Sequence, residues 1–127
     1  MSLLVRDNRI IVPSLRTGAP TTGAITNMTI TDSGVRFTEV IDVGWATELI
    51  LFAQVSTLTA GTLDAIIQFS PDGKTFTDMS GDSITQITAA GIGFKKVTAN
   101  FGKYIRIKLT LGAGSNMVAS MWLSCKG

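Results

Sequence analysis

The sequence predicts an all-β protein: an antiparallel two-sheet sandwich, jelly-roll-like, of about eight strands, led by an extended N-terminal arm. Three observations carry this. Lys103-Tyr104-Ile105-Arg106-Ile107-Lys108-Leu109-Thr110-Leu111 alternates apolar and polar residues, the period of a strand with one buried face. Seventeen threonines and many Ile and Val favour strands over helices. Turn residues recur about every eight to twelve positions.

Residues 1–24 differ from the rest of the chain. Arg6, Arg9 and Arg16 face only Asp7, and Pro13, Gly18 and Pro20 interrupt any regular element. The clusters Leu3-Leu4-Val5 and Ile10-Ile11-Val12 are too short to form a core and too apolar for a solvated tail. Two placements satisfy them: an edge strand folded back on its own sheet, or an arm that crosses to a neighbouring subunit and adds a strand or fills a groove there.

Residues 25–127 form the expected sandwich domain. Val35 to Val43 approximates period two, with Val35, Phe37, Ile41 and Val43 on one face and Glu39 as the exception, a charge awaiting an Arg from the arm. Thr47 to Thr57 is apolar on both sides, Leu49, Leu51, Ala53 and Val55 on one and Ile50 and Phe52 on the other, as in a central strand covered on both faces. Leu63, Ala65, Ile67 and Phe69 alternate up to Ser70-Pro71-Asp72-Gly73, a hairpin turn in which Pro presets one dihedral and Gly accepts a positive one. The return strand is expected over Lys74–Met79, then short strands over Ser83–Thr88 and Ile92–Ala99. In the final strand Met117, Ala119, Met121, Leu123 and Cys125 share one face.

Composition excludes whole classes of chemistry. With no His and one Cys, the chain has no Ser-His-Asp or Cys-His nucleophile pair, no His-ligated zinc and no intrachain disulfide. A net charge of +2 with 16% charged residues does not point to nucleic acid. Beyond residue 24 positive and negative charges balance, which leaves the set Lys95, Lys96, Lys103, Arg106 and Lys108 a modest one. The 45% hydrophobic content is high for a lone domain and implies an apolar surface that meets a partner. Apolar runs such as Leu49–Ala53 are far short of a membrane helix, and Arg6, Asp7 and Arg9 break the apolar opening that a secretory leader needs, so synthesis in a cytoplasm and no membrane partner are expected.

Individual candidates mostly have structural explanations. Asp72, Asp78 and Asp82 lack the spacing of a calcium loop and suit turns, so no metal and no cofactor are expected. Glu39 and Glu48 are not spaced as a glycosidase pair, and no catalytic residue is assigned. Trp45, Trp122 and Tyr104 are core or subunit contacts, or else a stacking surface for sugars with Asp72, Asp82 and Asn116 in loops, Trp122 lying on the less apolar side of its strand. Cys125 reads as a small buried hydrophobe.

The run Gly61-Thr62-Leu63-Asp64-Ala65-Ile66-Ile67-Gln68-Phe69-Ser70-Pro71-Asp72-Gly73-Lys74-Thr75-Phe76-Thr77-Asp78, with Gly102-Lys103-Tyr104-Ile105-Arg106-Ile107, resembles small β-sandwich virion proteins of tailed bacteriophages, including capsid decoration or cement proteins. The hairpin and following strand are also similar to galactose-binding-like (discoidin) sandwiches, where Trp is usual at the place of Phe76. These segments are scaffold in both groups, so no binding residue transfers.

The resemblance implies a jelly roll that sits as an oligomer, a dimer or trimer, on the outside of a phage head and clamps neighbouring copies of the major capsid protein. Its location would be the virion exterior. On that expectation Leu3, Leu4, Val5, Ile10, Ile11 and Val12 bury against the neighbour, Arg6, Arg9 and Arg16 pair with its carboxylates, and removal of residues 1–16 leaves a folded sandwich but abolishes stable attachment. The alternative expectation is a carbohydrate-binding module using Trp122, Tyr104 and Asp72.

Overall fold

The computed structural model describes residues 8–16, 23–31, 33–97 and 103–127. The strands, in chain order, are β1 (Asn8–Ile11), β2 (Ser14–Leu15), β3 (Gly23–Ala24), β4 (Met28–Ile30), β5 (Gly34–Phe37), β6 (Ile41–Asp42), β7 (Glu48–Ala60), β8 (Leu63–Ser70), β9 (Thr77–Ser83), β10 (Gly91–Val97), β11 (Tyr104–Leu111) and β12 (Asn116–Lys126). They form two antiparallel sheets facing each other, a jelly-roll-like sandwich. Sheet I runs β1-β12-β7-β10 with β4 also on β12, and sheet II runs β5-β11-β8-β9 with β6 also on β11. A two-stranded pair, β2-β3, flanks them.

Alternation builds the core. Leu49, Leu51, Ala53 and Val55 of β7 and Met117, Ala119, Met121, Leu123 and Cys125 of β12 face Leu63, Ala65 and Ile67 of β8 and Ile105, Ile107, Leu109 and Leu111 of β11, all at 3% exposure or less. The inward residues expected for β7, β8, β11 and β12 are the ones found. At about 25 cal/mol per Å², a buried Leu or Ile contributes roughly 1.5–3 kcal/mol.

Four local expectations change. β7 is central, but its outer side, with Ile50 and Phe52, is only half-buried. Ser83–Thr88 makes no continuous strand. It is held by the single bridge Leu63↔Ile87 and by Ile84 N–H donating to Ala65 O, because the buried Ile84 and Ile87 are three apart, a spacing a flat strand cannot turn to one side. The return strand begins at Thr77, since Asp72 and the backbone of Lys74 and Thr75 are committed to the turn.

The fourth change is between β5 and β6. Phe37 pairs with Lys108 and Ile41 with Ile105, so four steps on one side span three on the other, and one extra residue is accommodated. This bulge reverses which side chains point inward. Before it, Arg36 and Thr38 are buried while Val35 is 52% exposed; after it, Ile41 and Val43 are buried as expected. Thr38 Oγ1 accepts from Ile107 N–H at 2.9 Å, and Thr38 N–H donates to Ile107 O at 3.0 Å, which holds the ladder through the irregularity.

Residues 8–16 lie on the body of their own chain. β1 pairs with β12 through Asn8↔Lys126 to Ile11↔Leu123, Pro13 O accepts from Ile25 N–H at 3.0 Å, and Arg16 N–H donates to Phe37 O at 2.9 Å. Leu15 is fully buried. This segment thus runs from the edge of sheet I to the edge of sheet II. The reason is energetic. The edge amides of β12 need partners, and pairing within one chain costs loop closure only, whereas pairing between chains costs association entropy.

Candidate functional site

The outer face of sheet I carries an apolar surface built by strand register. Directly paired residues share a face, so Trp122, Phe52 and Phe94 form one row across β12, β7 and β10. The neighbouring row is Ile10, Ser124, Ile50 and Lys96, and the row on the other side is Ser120, Gln54 and Ile92. Phe52 and Phe94 stack with centroids 5.7 Å apart and planes inclined by 30°. Exposure is 72% at Ile10, 64% at Ile92 and 63% at Phe94. An aliphatic or aromatic side chain so exposed, contiguous with others, is the kind of patch that marks an interaction surface.

Polar contacts bound this face at two ends. Lys126 Nζ lies 3.7 Å from Glu48 Oε1. At the opposite end Ser120 Oγ accepts from Asn27 N–H at 2.8 Å, and this turn covers the serine. Within the rows the polar side chains are Lys96, Gln54, Ser124 and the covered Ser120, all beside the aromatic row.

The outer face of sheet II is built differently. The Arg106 guanidinium carbon lies 4.0 Å from the Phe37 centroid and 4.2 Å from that of Phe76, sandwiched between the two rings. Its Nε donates to Gln68 Oε1 at 2.7 Å, Gln68 Nε2 donates to Asp78 Oδ1 at 2.8 Å, and Lys108 Nζ donates to Asp78 Oδ2 at 3.1 Å. The Gln68 amide, then the Lys108 ammonium, lower the Asp78 pKa, and burial between the rings lowers that of Arg106. These groups satisfy one another, so they knit β5, β8, β9 and β11 together and make sheet II a finished surface.

The residues assigned from sequence fall in different places. Leu3, Leu4, Val5 and Arg6 lie outside the described residues. Arg16 Nη2 is 3.5 Å from Glu39 Oε2, so Glu39 meets an arginine of the N-terminal segment within its own chain. The Arg9 guanidinium carbon sits 4.8 Å from the Trp45 centroid. Ile11 packs against the core, Val12 is half-buried, and Ile10 projects into the apolar face. Trp122 is on that same face.

Tyr104 and Asp72 are on the other sheet. Ser70 Oγ accepts from Gly73 N–H at 2.9 Å, and Asp72 Oδ1 accepts from Lys74 N–H and Thr75 N–H, both at 2.9 Å, and from the Ser70 hydroxyl at 2.8 Å. The Thr75 and Lys74 amides, followed by the Ser70 hydroxyl, lower the Asp72 pKa to about 2. Gly73, at φ +77, brings this turn against the Tyr104 ring. Asp72 is therefore the organiser of a turn, and the structure does not bring Trp122 together with Tyr104 and Asp72.

Ile50, Phe52, Ile92 and Phe94 are the residues of the face that sequence reasoning assigned to no site. The signal was the double-sided apolarity of β7, which implied cover from another layer; the described chain supplies none. Phe94 shows no partner in sequence because Phe52 is its neighbour only through β7-β10 pairing.

No protein-family model matches the sequence, and no curated protein matches it. Among solved structures the chain is similar to the PBSX exported protein XepA, with TM-score 0.61 and 15% identity over 80% of this chain and 35% of that one. It is also similar to the N-terminal endo-1,4-β-D-xylanase 10B of Clostridium thermocellum, CBM22-1 and GH10 modules in complex with xylohexaose, with TM-score 0.53 and 14% identity over 95% of this chain and 25% of that one. The chain spans only about a third and a quarter of these two proteins. The likeness is one of fold, the β-sandwich.

Proposed function

We propose that this chain is a structural subunit of a virion, a capsid decoration or cement protein, that docks on the major capsid protein through the outer face of sheet I. The observation that carries the reading is the row Trp122-Phe52-Phe94 flanked by Ile10, Ile50 and Ile92. Three strands about 4.8 Å apart and three rows about 6.8 Å apart give a patch of roughly 300–400 Å² with side-chain margins. That is about half of what one partner contributes to a typical stable complex. Such a contact is weak alone and effective when many copies engage a repeating surface, as an oligomer on a capsid lattice would. The role is binding, with no chemical step.

A second reading, carbohydrate binding, has the aromatic row in its favour, because pyranose rings stack on such surfaces. Specific sugar recognition also needs convergent hydrogen-bonding groups. Here Ile50 and Ile92 stand beside the rings among Ser120, Ser124, Gln54 and Lys96, and the high exposure of Ile10, Ile92 and Phe94 favours a protein surface.

Co-sedimentation with shells assembled from the major capsid protein of the same source tests the proposal. The wild-type chain is expected to pellet saturably with the shells and Phe94→Lys to remain in solution while retaining its circular dichroism spectrum. Equal pelleting of the variant, or no pelleting of the wild type, overturns the reading.

A further inference from the structure

The sheet edges differ in how they are closed to further pairing. The edge of sheet I beyond β12 is split between β1 and β4, of four and three residues. The edge of sheet II beyond β11 is split between β5 and β6, and β5 is closed by the N-terminal segment, through Arg16 N–H donating to Phe37 O at 2.9 Å and the Leu15↔Thr38 bridge just past it. At the other end of sheet II, β9 pairs irregularly, with a register shift on β8 between Ile66 and Gln68. β10 has none of these devices. It ends sheet I, its seven residues pair with β7 from Gly91↔Val55 to Val97↔Leu49 without a shift, and no proline interrupts it. Among the described residues no backbone hydrogen bond reaches its other side, and a cleft of about 240 Å³ between residues 85–89 and Gly91, Ile92 and Gly93 lies beside it. A long, regular edge with apolar side chains is a template for another strand.

We propose that β10 pairs antiparallel with β10 of a second copy of this chain, about a two-fold axis at Phe94, so that two copies of sheet I become one continuous sheet. Residues directly opposite each other share a face, so keeping both apolar faces on one side requires the axis to pass through a residue. The sequence of β10 selects which. An axis at Phe94 pairs all seven residues, whereas an axis at any other residue pairs five or fewer, and one at Lys95 or Lys96 also sets like ammonium groups against each other. With the axis at Phe94, Lys96 stands opposite the partner's Ile92, Lys95 opposite the partner's Gly93, where no side chain competes for the space, and Phe94 opposite the partner's Phe94. The row Trp122-Phe52-Phe94 then continues across the axis into its own copy. The inference rests on the docking reading for its purpose: one copy offers roughly 300–400 Å², about half of one partner's share of a typical complex, and the pair offers about a full share. The high exposure of Ile92 and Phe94 falls on the strand where the second copy would extend the face. Pairing uses both β10 edges, so assembly stops at two copies.

The test is sedimentation velocity of the full chain over about a hundredfold range of concentration, with amide hydrogen exchange at both ends of that range. The wild type is expected to pass from one copy to two as concentration rises, while the amides of β10 gain protection and those of β12 do not. Ile92→Lys puts an ammonium opposite the partner's Lys96 on both sides of the axis and should hold the chain as a monomer with an unchanged circular dichroism spectrum. Adding Lys96→Glu turns both contacts into opposite-charge pairs and should restore the dimer, a rescue that an axis at another residue does not give. The proposal fails if the wild type stays monomeric throughout, if it dimerises without protection of β10, if Ile92→Lys dimerises as the wild type does, or if the double variant stays monomeric. A chain that dimerises through β10 but does not pellet with capsid shells overturns the docking reading and upholds this pairing; one that pellets as a monomer overturns the pairing alone.

Discussion

Phe94 stacks on Phe52 from the neighbouring strand with centroids 5.7 Å apart, yet it stays 63% exposed. The pair holds β10 to β7 on a face that the described residues leave uncovered. Because most of the Phe94 ring is already in water, Phe94→Ala should lower folding stability by only about 0.5–1.5 kcal/mol, the worth of an aromatic pair. Urea denaturation measures this, and a loss above about 3 kcal/mol would mean that the ring is packed.

Thr38 is expected to matter more than its size suggests. Its hydroxyl accepts the Ile107 amide at the bulge, and its own exposure is 3%. Thr38→Val keeps the shape and leaves that amide without its acceptor, which costs about 1–3 kcal/mol. Urea midpoints read the loss, and hydrogen exchange at Ile107 should accelerate by more than at Leu109.

Asp72 gives the fold a dependence on acid. The Thr75 and Lys74 amides and the Ser70 hydroxyl hold its carboxylate at about 2, below the ordinary 3.8. The folded state therefore prefers the charged form. Its contribution is complete above about pH 4 and is lost as pH falls towards 2. The stability gap between the wild type and Asp72→Ala should narrow over that window; a gap that widens in acid would contradict the assignment of Asp72 to the turn.

Truncation distinguishes the two parts of the N-terminal segment. A chain beginning at Asn8 keeps every contact described for β1 and β2 and should melt within a few degrees of the full chain. A chain beginning at Thr17 loses the burial of Leu15, the β1-β12 ladder and the Arg16–Glu39 pair. Loss of the leucine alone removes about 2–3 kcal/mol, so its melting temperature should fall by about 10 °C or more. Equal melting of the two truncated chains would show that the segment does not strap the sandwich.

Cys125 faces the core of sheet I and is fully buried, and burial raises its thiol pKa to about 11. The reactive thiolate is thus scarce at pH 8. Ellman's reagent should label the native chain very slowly and the urea-unfolded chain at once. Fast native labelling would place the thiol at an accessible edge.

Ile105, Ile107, Leu109 and Leu111 alternate so regularly that their burial in a strand followed from local order alone, and Ser70-Pro71-Asp72-Gly73 announced its turn by the dihedrals its residues prefer. Those features depend on neighbours one or two positions away, which a sequence displays directly. The reversal at Arg36 and Thr38 depends on one residue too many against β11, and only the partner strand makes that surplus visible. Likewise Ile10, Phe52, Phe94 and Trp122 come from four strands far apart in the chain, and hydrogen-bond register alone set them side by side. Local alternation determined that the protein is a β-sandwich; long-range pairing decided where its uncovered apolar face lies, because register links residues that the linear order keeps apart.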